Sequence, residues 1–217
     1  MRLFKRGNPY DRVQVLAAAS KAHSRGKTKK ALQLYLQVLG LEPENAELHR
    51  KVAPLLARRK RHQEAWESFR FAANSLVQDG FLEKAIAVYR EALHFVPSQP
   101  AAWLAIANLH QQRERPADAI HALLEGRSHL RKRRDRPAAI HLLSSVREID
   151  PHHFAACLDL ARLYAQRGDR RGGMALLEGL LRRAHRAELR RIRALQVRIR
   201  PTPAALVRWL RALFFGH

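Results

Sequence analysis

The sequence predicts an all-α protein, and three observations support that class. Hydrophobic residues make up 47% of the 217 residues, which is enough for a substantial core although 28% are charged. Alanine, leucine and arginine dominate the composition, and all three favour helices. Glycine and proline number only ten each, whereas a sheet protein of this length would need more turn residues.

Periodic apolar positions and the glycine, proline and charged residues between them predict about twelve helices. An N-terminal pair is followed by three groups of three helices and one last helix. Their expected ranges are 10–25 and 28–41; 46–59, 61–78 and 81–95; 101–113, 116–133 and 137–149; 154–167, 170–185 and 188–199; and 203–214.

The chain repeats itself with a step of 54 residues, for which Pro43, Pro97 and Pro151 are the clearest markers. Small residues follow the same step, as do large apolar ones. The small sets are Ala31, Ala85 and Ala139; Ala53, Ala107 and Ala161; and Ala65, Ala119 and Gly173. The large sets are Val52, Ile106 and Leu160; Leu55, Leu109 and Leu163; and Phe69, Leu123 and Leu177. Small residues let helices cross closely, so this pattern predicts stacked antiparallel helices.

These repeats resemble the tetratricopeptide repeat, whose helices carry Trp-x2-Leu-Gly-x2-Tyr and then Ala-x3-Phe and Pro. The matching residues are Trp103, Ile106, Ala107, His110, Ala119 and Leu123; Ala85, Tyr89, Ala92 and Pro97; Ala31, Tyr35 and Pro43; and Ala53, Leu56, Ala65 and Phe69. The resemblance covers roughly residues 10–185. His110 stands where the family has tyrosine, and Cys157 where Trp103 would repeat.

The resemblance implies a right-handed α-solenoid of helix hairpins. Its domains would be an N-terminal basic tail at 1–9, the solenoid at 10–186 and C-terminal basic capping helices at 187–217. The family unit has 34 residues, so we interpret the 54-residue step as three helices per unit. Equivalent helices would then alternate between the two layers of the stack.

Basic residues outnumber acidic ones by 41 to 19, a formal charge of +22, and 32 of the 41 are arginine. A GC-rich genome would explain the arginine content, whereas an anionic partner would also explain the scarcity of acids. Alternate turns of the predicted stack carry most of the charge, and we expect them to form one basic edge. Its residues are Lys29, Lys30, Arg58, Arg59, Lys60, Arg61, Lys132, Arg133, Arg134, Arg170 and Arg171.

Two C-terminal segments leave alternatives open. Residues 182–200 hold eight arginines beside the stripe Leu189, Ile192, Leu195 and Ile199, so this helix either meets phosphate or carboxylate or is a solvated cap. Residues 203–214 place Leu206, Trp209, Leu210 and Leu213 on one face. We expect that helix to cap the stack, and a position on a membrane surface is the alternative. In the alternative, Phe214 and Phe215 would be the exposed apolar contacts.

No catalytic, metal or cofactor motif is recognisable. The twelve histidines are scattered, Cys157 occupies a packing position, and no phosphate-binding glycine loop follows a strand. No secretory signal or spanning segment is evident, so we expect a cytoplasmic protein. We therefore expect no enzymatic activity and no cofactor.

The most consistent function is a non-catalytic protein-interaction adaptor that binds an acidic protein or peptide partner through a groove and the basic edge. The resemblance implies binding in a concave groove, for which the candidates are Arg50, Asn108, Gln111, Gln112 and Arg162. The alternative is an electrostatic binder of RNA, DNA or an anionic membrane surface. The sequence leaves the identity of the partner and the oligomeric state open.

Overall fold

A computed structural model describes residues 9–214, with side chains described from 12 to 213, and these residues form two compact units that divide between Leu109 and His110. Within 9–214 there are twelve α-helices, one 3-10 turn and no strand, which confirms the all-α prediction. The first unit contains α1 Pro9–Ser24, α2 Thr28–Leu39, α3 Ala46–Arg58, α4 His62–Gln78, α5 Leu82–Phe95 and most of α6 Pro100–Gln112. The second contains α7 Pro116–His129, the 3-10 turn Arg133–Asp135, α8 Arg136–Ile149, α9 Phe154–Gln166, α10 Arg170–Leu181, α11 Arg186–Ile199 and α12 Pro203–Phe214.

From α1 to α5 in the first unit, and from α7 to α12 in the second, each helix packs against the next one in sequence. In the first unit α4 packs against both α3 and α5, and in the second α10 packs against both α9 and α11. The large apolar residues of the repeat are all buried; Phe69, Leu123 and Leu177 are at most 1% exposed. The small residues of the repeat are buried too, which confirms their predicted packing role.

The closest helix approach that the glycines reveal lies between α9 and α10. A Cβ built on Gly173 would stand 2.7 Å from the carbonyl oxygen of Ala161, which is shorter than real Cβ contacts. Gly173 takes the place of Ala65 and Ala119 in the 54-residue step. Because it has no side chain, the backbone of α10 can approach that of α9 here.

Five interhelical turns share one hydrogen-bonding pattern and explain the length of the step. In each turn a residue with φ between 56° and 97° donates from its amide to the carbonyl three residues back. The next amide donates to the carbonyl five residues back, which makes a Schellman motif. The residues with positive φ are Gly26, Lys60, Gly80, Glu114 and Gly168.

The spacing of these turns separates the step into two parts. Positions 26 and 60 are 34 apart, as are 80 and 114, whereas 60 and 80 are 20 apart. The 54-residue step is therefore one 34-residue interval plus a 20-residue interval that adds a single helix.

A second contact recurs with the 54-residue step and joins a helix to the proline that precedes it. The side chains at the matching positions 49, 103 and 157 all point a donor at a proline carbonyl. His49 Nε2 donates to Pro43 at 2.9 Å, Trp103 Nε1 donates to Pro97 at 2.8 Å, and Cys157 Sγ donates to Pro151 at 3.6 Å. Cys157, which departs from the family pattern, thus keeps the same role with a weaker donor.

Three sequence predictions for the second unit need correction: the end of α7, the boundary between α10 and α11, and the orientation of α12. The helix expected at 116–133 ends at His129, because buried Leu130 leaves the helix and its carbonyl accepts from Arg127 Nη1 at 2.8 Å. The helix expected at 170–185 ends at Leu181, and α11 starts two residues earlier than expected. The side chain of Glu188 fixes that start by accepting from the His185 amide at 3.0 Å.

The third correction concerns α12. Ala205 and Ala212 are its buried residues, while Leu206, Leu210 and Leu213 are exposed and Trp209 is half-buried. The apolar face on which we based a capping role therefore points away from α11. The predicted contacts at Phe214 and Phe215, like the N-terminal tail, lie outside the side chains that the structure describes.

We expect Gly173→Ala to lower the free energy of unfolding by about 1–3 kcal/mol, because the added methyl group would separate α9 from α10. Gly179→Ala on the same helix is the matched control, since its Cβ meets nothing within 4 Å. The control should gain up to about 1 kcal/mol from helix propensity. Urea unfolding monitored by circular dichroism measures both variants. Equal stability of the two would contradict the close approach.

Lys60→Gly should raise the free energy of unfolding by roughly 1 kcal/mol. Lys60 has a φ of 60°, and this left-handed conformation is unfavourable for any residue with a side chain. Arg50→Gly, at an exposed position inside α3, should instead lower the free energy of unfolding by about 0.5–1 kcal/mol. Thermal unfolding of both variants tests the turn. Destabilisation by Lys60→Gly would show that Lys60 does not adopt the left-handed conformation.

Candidate partner-binding grooves

A groove between α9, α10 and α11 in the second unit is lined by four arginines. Two adjoining cavities of about 180 and 260 Å³ form it, and they share Arg162, Leu195 and Arg198. Arg170 lines one cavity and Arg191 the other. We call this site the arginine groove; its further lining residues are Leu158, Ala165, Gln166, Ala194 and Ile199.

Helical spacing places these side chains together. On α11, Arg191, Leu195 and Arg198 follow one another at intervals of four and three and therefore share a face. On α9, Leu158 and Arg162 are related in the same way. Ile192, Leu195 and Ile199 belong to the buried cluster that holds α11 against α9 and α10, so the groove rests on a packed floor.

The arginine groove is strongly cationic. No aspartate or glutamate is among its lining residues. Among the described residues, Arg162, Arg170 and Arg198 have no carboxylate within ion-pair distance, and Arg191 lies 5.2 Å from the centre of the Phe154 ring. By contrast, Arg127 on α7 is neutralised by Asp159 at 2.8 Å. Unneutralised, exposed guanidinium groups over an apolar floor suit an anionic ligand.

The first unit carries a different groove, of about 460 Å³, between α3, α4 and α5. It is lined by Arg50, Leu76, Lys84, Ala87, Val88 and Glu91, so its charge is mixed. The ammonium of Lys84 lies 4.1 Å from the centre of the Phe81 ring. Pro54 has no amide hydrogen to donate to the carbonyl of Arg50, which leaves that carbonyl without its usual helical partner.

All five predicted groove residues are exposed, but they lie in different places. Arg50 lines the mixed groove of the first unit, and Arg162 lines the arginine groove of the second. Asn108, Gln111 and Gln112 are exposed on α6 and are not among the lining residues of either groove. Their predicted role in binding stays a prediction.

The eleven residues of the predicted basic edge are exposed as well. Arg61 is held by Glu64 in a two-pronged ion pair with its Nε at 2.6 Å, so its charge is balanced. Arg134 lies 3.6 Å from Asp135, and Arg170 belongs to the arginine groove. The alignment of these turns along one common edge remains a prediction.

Sequence reasoning named Arg162 and Arg170 individually but gave Arg191 and Arg198 only as part of the arginine-rich segment 182–200. The signal that could have identified them is their spacing around Leu195, which is buried against α9. Which face of α9 they meet depends on helix packing, and the sequence periodicity of α11 does not specify it.

Between residues 9 and 214, no three His, Cys, Asp or Glu side chains cluster as metal ligands would. Burial raises the pKa of the Cys157 thiol, which keeps it protonated and weakly nucleophilic. None of the described helices is both long and apolar enough to cross a membrane.

Comparisons with known proteins agree with the helix pattern. Tetratricopeptide-repeat models match residues 16–70 and 130–198, and a TPR-repeat model matches residues 73–113. No curated protein matches the chain.

Similar solved structures have low identity and low TM-scores. One is a tetratricopeptide repeat protein from Parabacteroides merdae ATCC 43184, 16% identical over 95% of this chain and 93% of that one, with a TM-score of 0.33. Another is YrrB, described as a TPR protein with an unusual peptide-binding site, 15% identical over 92% of each chain with a TM-score of 0.31. A human IFIT1 dimer with PPP-AAAA is 20% identical over 92% of this chain and 50% of that one, with a TM-score of 0.34.

The three family matches follow one another along most of the chain and fall on the helices that carry the repeated small residues. The chain belongs to the tetratricopeptide-repeat family.

Proposed function

We propose that this protein is a non-catalytic adaptor that binds an acidic segment of a protein partner in the arginine groove. Tetratricopeptide repeats suggest a scaffold for protein–protein interaction, and the groove adds a preference for negative charge. The single observation that carries the proposal is the set of four exposed arginines with no acidic residue among the lining residues of the groove.

The proposed ligand also needs apolar side chains. Leu158, Leu195 and Ile199 lie in the floor between the arginines, and the first two are 6% exposed. A segment that alternates carboxylate and aliphatic residues would satisfy both components, because charge-assisted hydrogen bonds fix its register while aliphatic contacts add burial. A peptide offers both kinds of side chain.

Nucleic acid fits the arginine groove less well. Proteins that bind single strands usually stack bases on aromatic side chains, and none of the residues lining the groove is aromatic. Trp66, Tyr89 and Trp103 are buried and serve packing. The basic turns would still attract any polyanion at long range, so they favour rapid encounter rather than selection.

We expect a fluorescein-labelled peptide of alternating glutamate and leucine to bind the full-length protein, with an affinity that falls as salt rises. The double variant Arg162→Glu/Arg198→Glu should weaken this binding by roughly tenfold or more, because two attractive charges become repulsive. Fluorescence anisotropy measures both affinities.

Arg183→Glu/Arg186→Glu is the matched control, since it makes the same charge change at two exposed residues outside the groove. It should leave peptide affinity within about twofold of the wild type. Equal losses from the control and the double variant would refute the groove as the binding site. A single-stranded RNA that binds more tightly than the peptide and depends on the same two arginines would replace the adaptor proposal with the polyanion alternative.

A further inference from the structure

The outward side of α12 is an apolar surface that the proposed adaptor function does not use. Leu206, Val207, Leu210 and Leu213 are 44%, 48%, 40% and 37% exposed. We call these four residues the outer face of α12. Single exposed apolar residues are ordinary, but four within two helical turns form a patch that usually meets another surface.

The fold holds α12 in this orientation. The helix packs against α11 with Ala205 and Ala212 buried, at 7% and 1% exposure. Arg190 on α11 donates from Nε to the carbonyl of Ala212 at 3.2 Å, which attaches the end of α12. The small residues therefore face the protein and the large apolar ones face outward.

Two cations lie on one side of the outer face, beyond Val207. Arg208 and Arg211 lie on α12 and are exposed, and α12 contains no acidic residue. Arg193 of α11 is half-buried near Arg208; burial first, and then the positive charge of Arg208, lower the pKa of Arg193. Two guanidinium groups that repel each other would gain from a neighbouring anion.

We infer that α12 lies on the surface of an anionic phospholipid bilayer, with its outer face among the acyl chains and Arg208 and Arg211 at the phosphate groups. Tryptophan and arginine beside an aliphatic face are typical of helices that lie in the membrane interface. Half-buried Trp209 would sit at the headgroup level. The inference is independent of the arginine groove and of the peptide that we propose for it.

A second copy of the chain is a less suitable occupant. In a twofold interface the same patch faces itself, so the arginines beside the outer face would be brought together from both copies. No acidic residue of α12 would be available to neutralise them. Anionic lipid supplies apolar chains and negative charge at once, which is the combination that this surface offers to bind.

The test is co-sedimentation of the full-length protein with vesicles of phosphatidylcholine alone and of equal parts phosphatidylcholine and phosphatidylglycerol. We expect binding to the mixed vesicles to be at least about tenfold stronger. Leu210→Glu/Leu213→Glu should weaken it by about tenfold or more, because charges replace the side chains that enter the acyl region. Arg208→Ser/Arg211→Ser should reduce the preference for the anionic lipid.

The matched control is Val13→Glu/Leu41→Glu, which changes two apolar residues of the first unit that are 63% and 61% exposed. This control should bind the mixed vesicles about as tightly as the wild type does. Leu210→Glu/Leu213→Glu should bind them more weakly. Vesicles containing brominated lipid should quench Trp209, whereas Trp66 and Trp103 are buried at 9% and 3% exposure.

Three results would overturn the inference. Equal binding to both kinds of vesicle, or binding to neither, would exclude an anionic membrane as the partner of α12. Unchanged binding by Leu210→Glu/Leu213→Glu would mean that charge alone holds the protein on the vesicle. A dimer that light scattering detects in the wild type but not in Leu210→Glu/Leu213→Glu would identify a second copy as the occupant.

Discussion

Close contact between consecutive helices is the constraint on which this fold depends. Ala31, Ala53, Ala85 and Ala161 have no exposed surface, and Gly173 brings the backbone of α10 against the carbonyl of Ala161. A larger residue at such a place would push two helices apart and separate the leucines and aromatics around them. Close pairs such as α3 with α4 and α9 with α10 recur along the chain, and a small residue is needed at the corresponding position of each 54-residue repeat.

Turn chemistry sets the length of the step. Five Schellman turns end helices at successive intervals of 34, 20, 34 and 54 residues, and the last interval is one whole step. The donors at His49, Trp103 and Cys157 bind the preceding proline carbonyls. Three different side chains fulfil that second role, which shows that a hydrogen-bond donor is what the position requires. The first two place a nitrogen at 2.8–2.9 Å, and the cysteine substitutes a longer, weaker bond.

Most of the fold could be predicted from the sequence because its signals are local. Proline and glycine residues between the periodic segments correctly predicted the helix boundaries near Pro43, Gly80 and Pro97. The arginine groove could be predicted only in part, since Arg162 and Arg198 belong to separate helices and meet through tertiary packing. The orientation of α12 was not predicted, because its leucines suggested a buried face whereas Ala205 and Ala212 occupy that position. Sequence periodicity identifies an apolar face but does not say what covers it.

The central claim is that alanine at the helix crossings is a requirement of packing, and α5 offers the most direct measurement. Ala85 is fully buried and Ala87, two residues later on the same helix, is exposed. Leucine has nearly the helix propensity of alanine, so urea unfolding of Ala85→Leu and Ala87→Leu compares packing alone. The account predicts a loss of about 1–3 kcal/mol for Ala85→Leu and little change for Ala87→Leu. Equal stability of the two variants would contradict it.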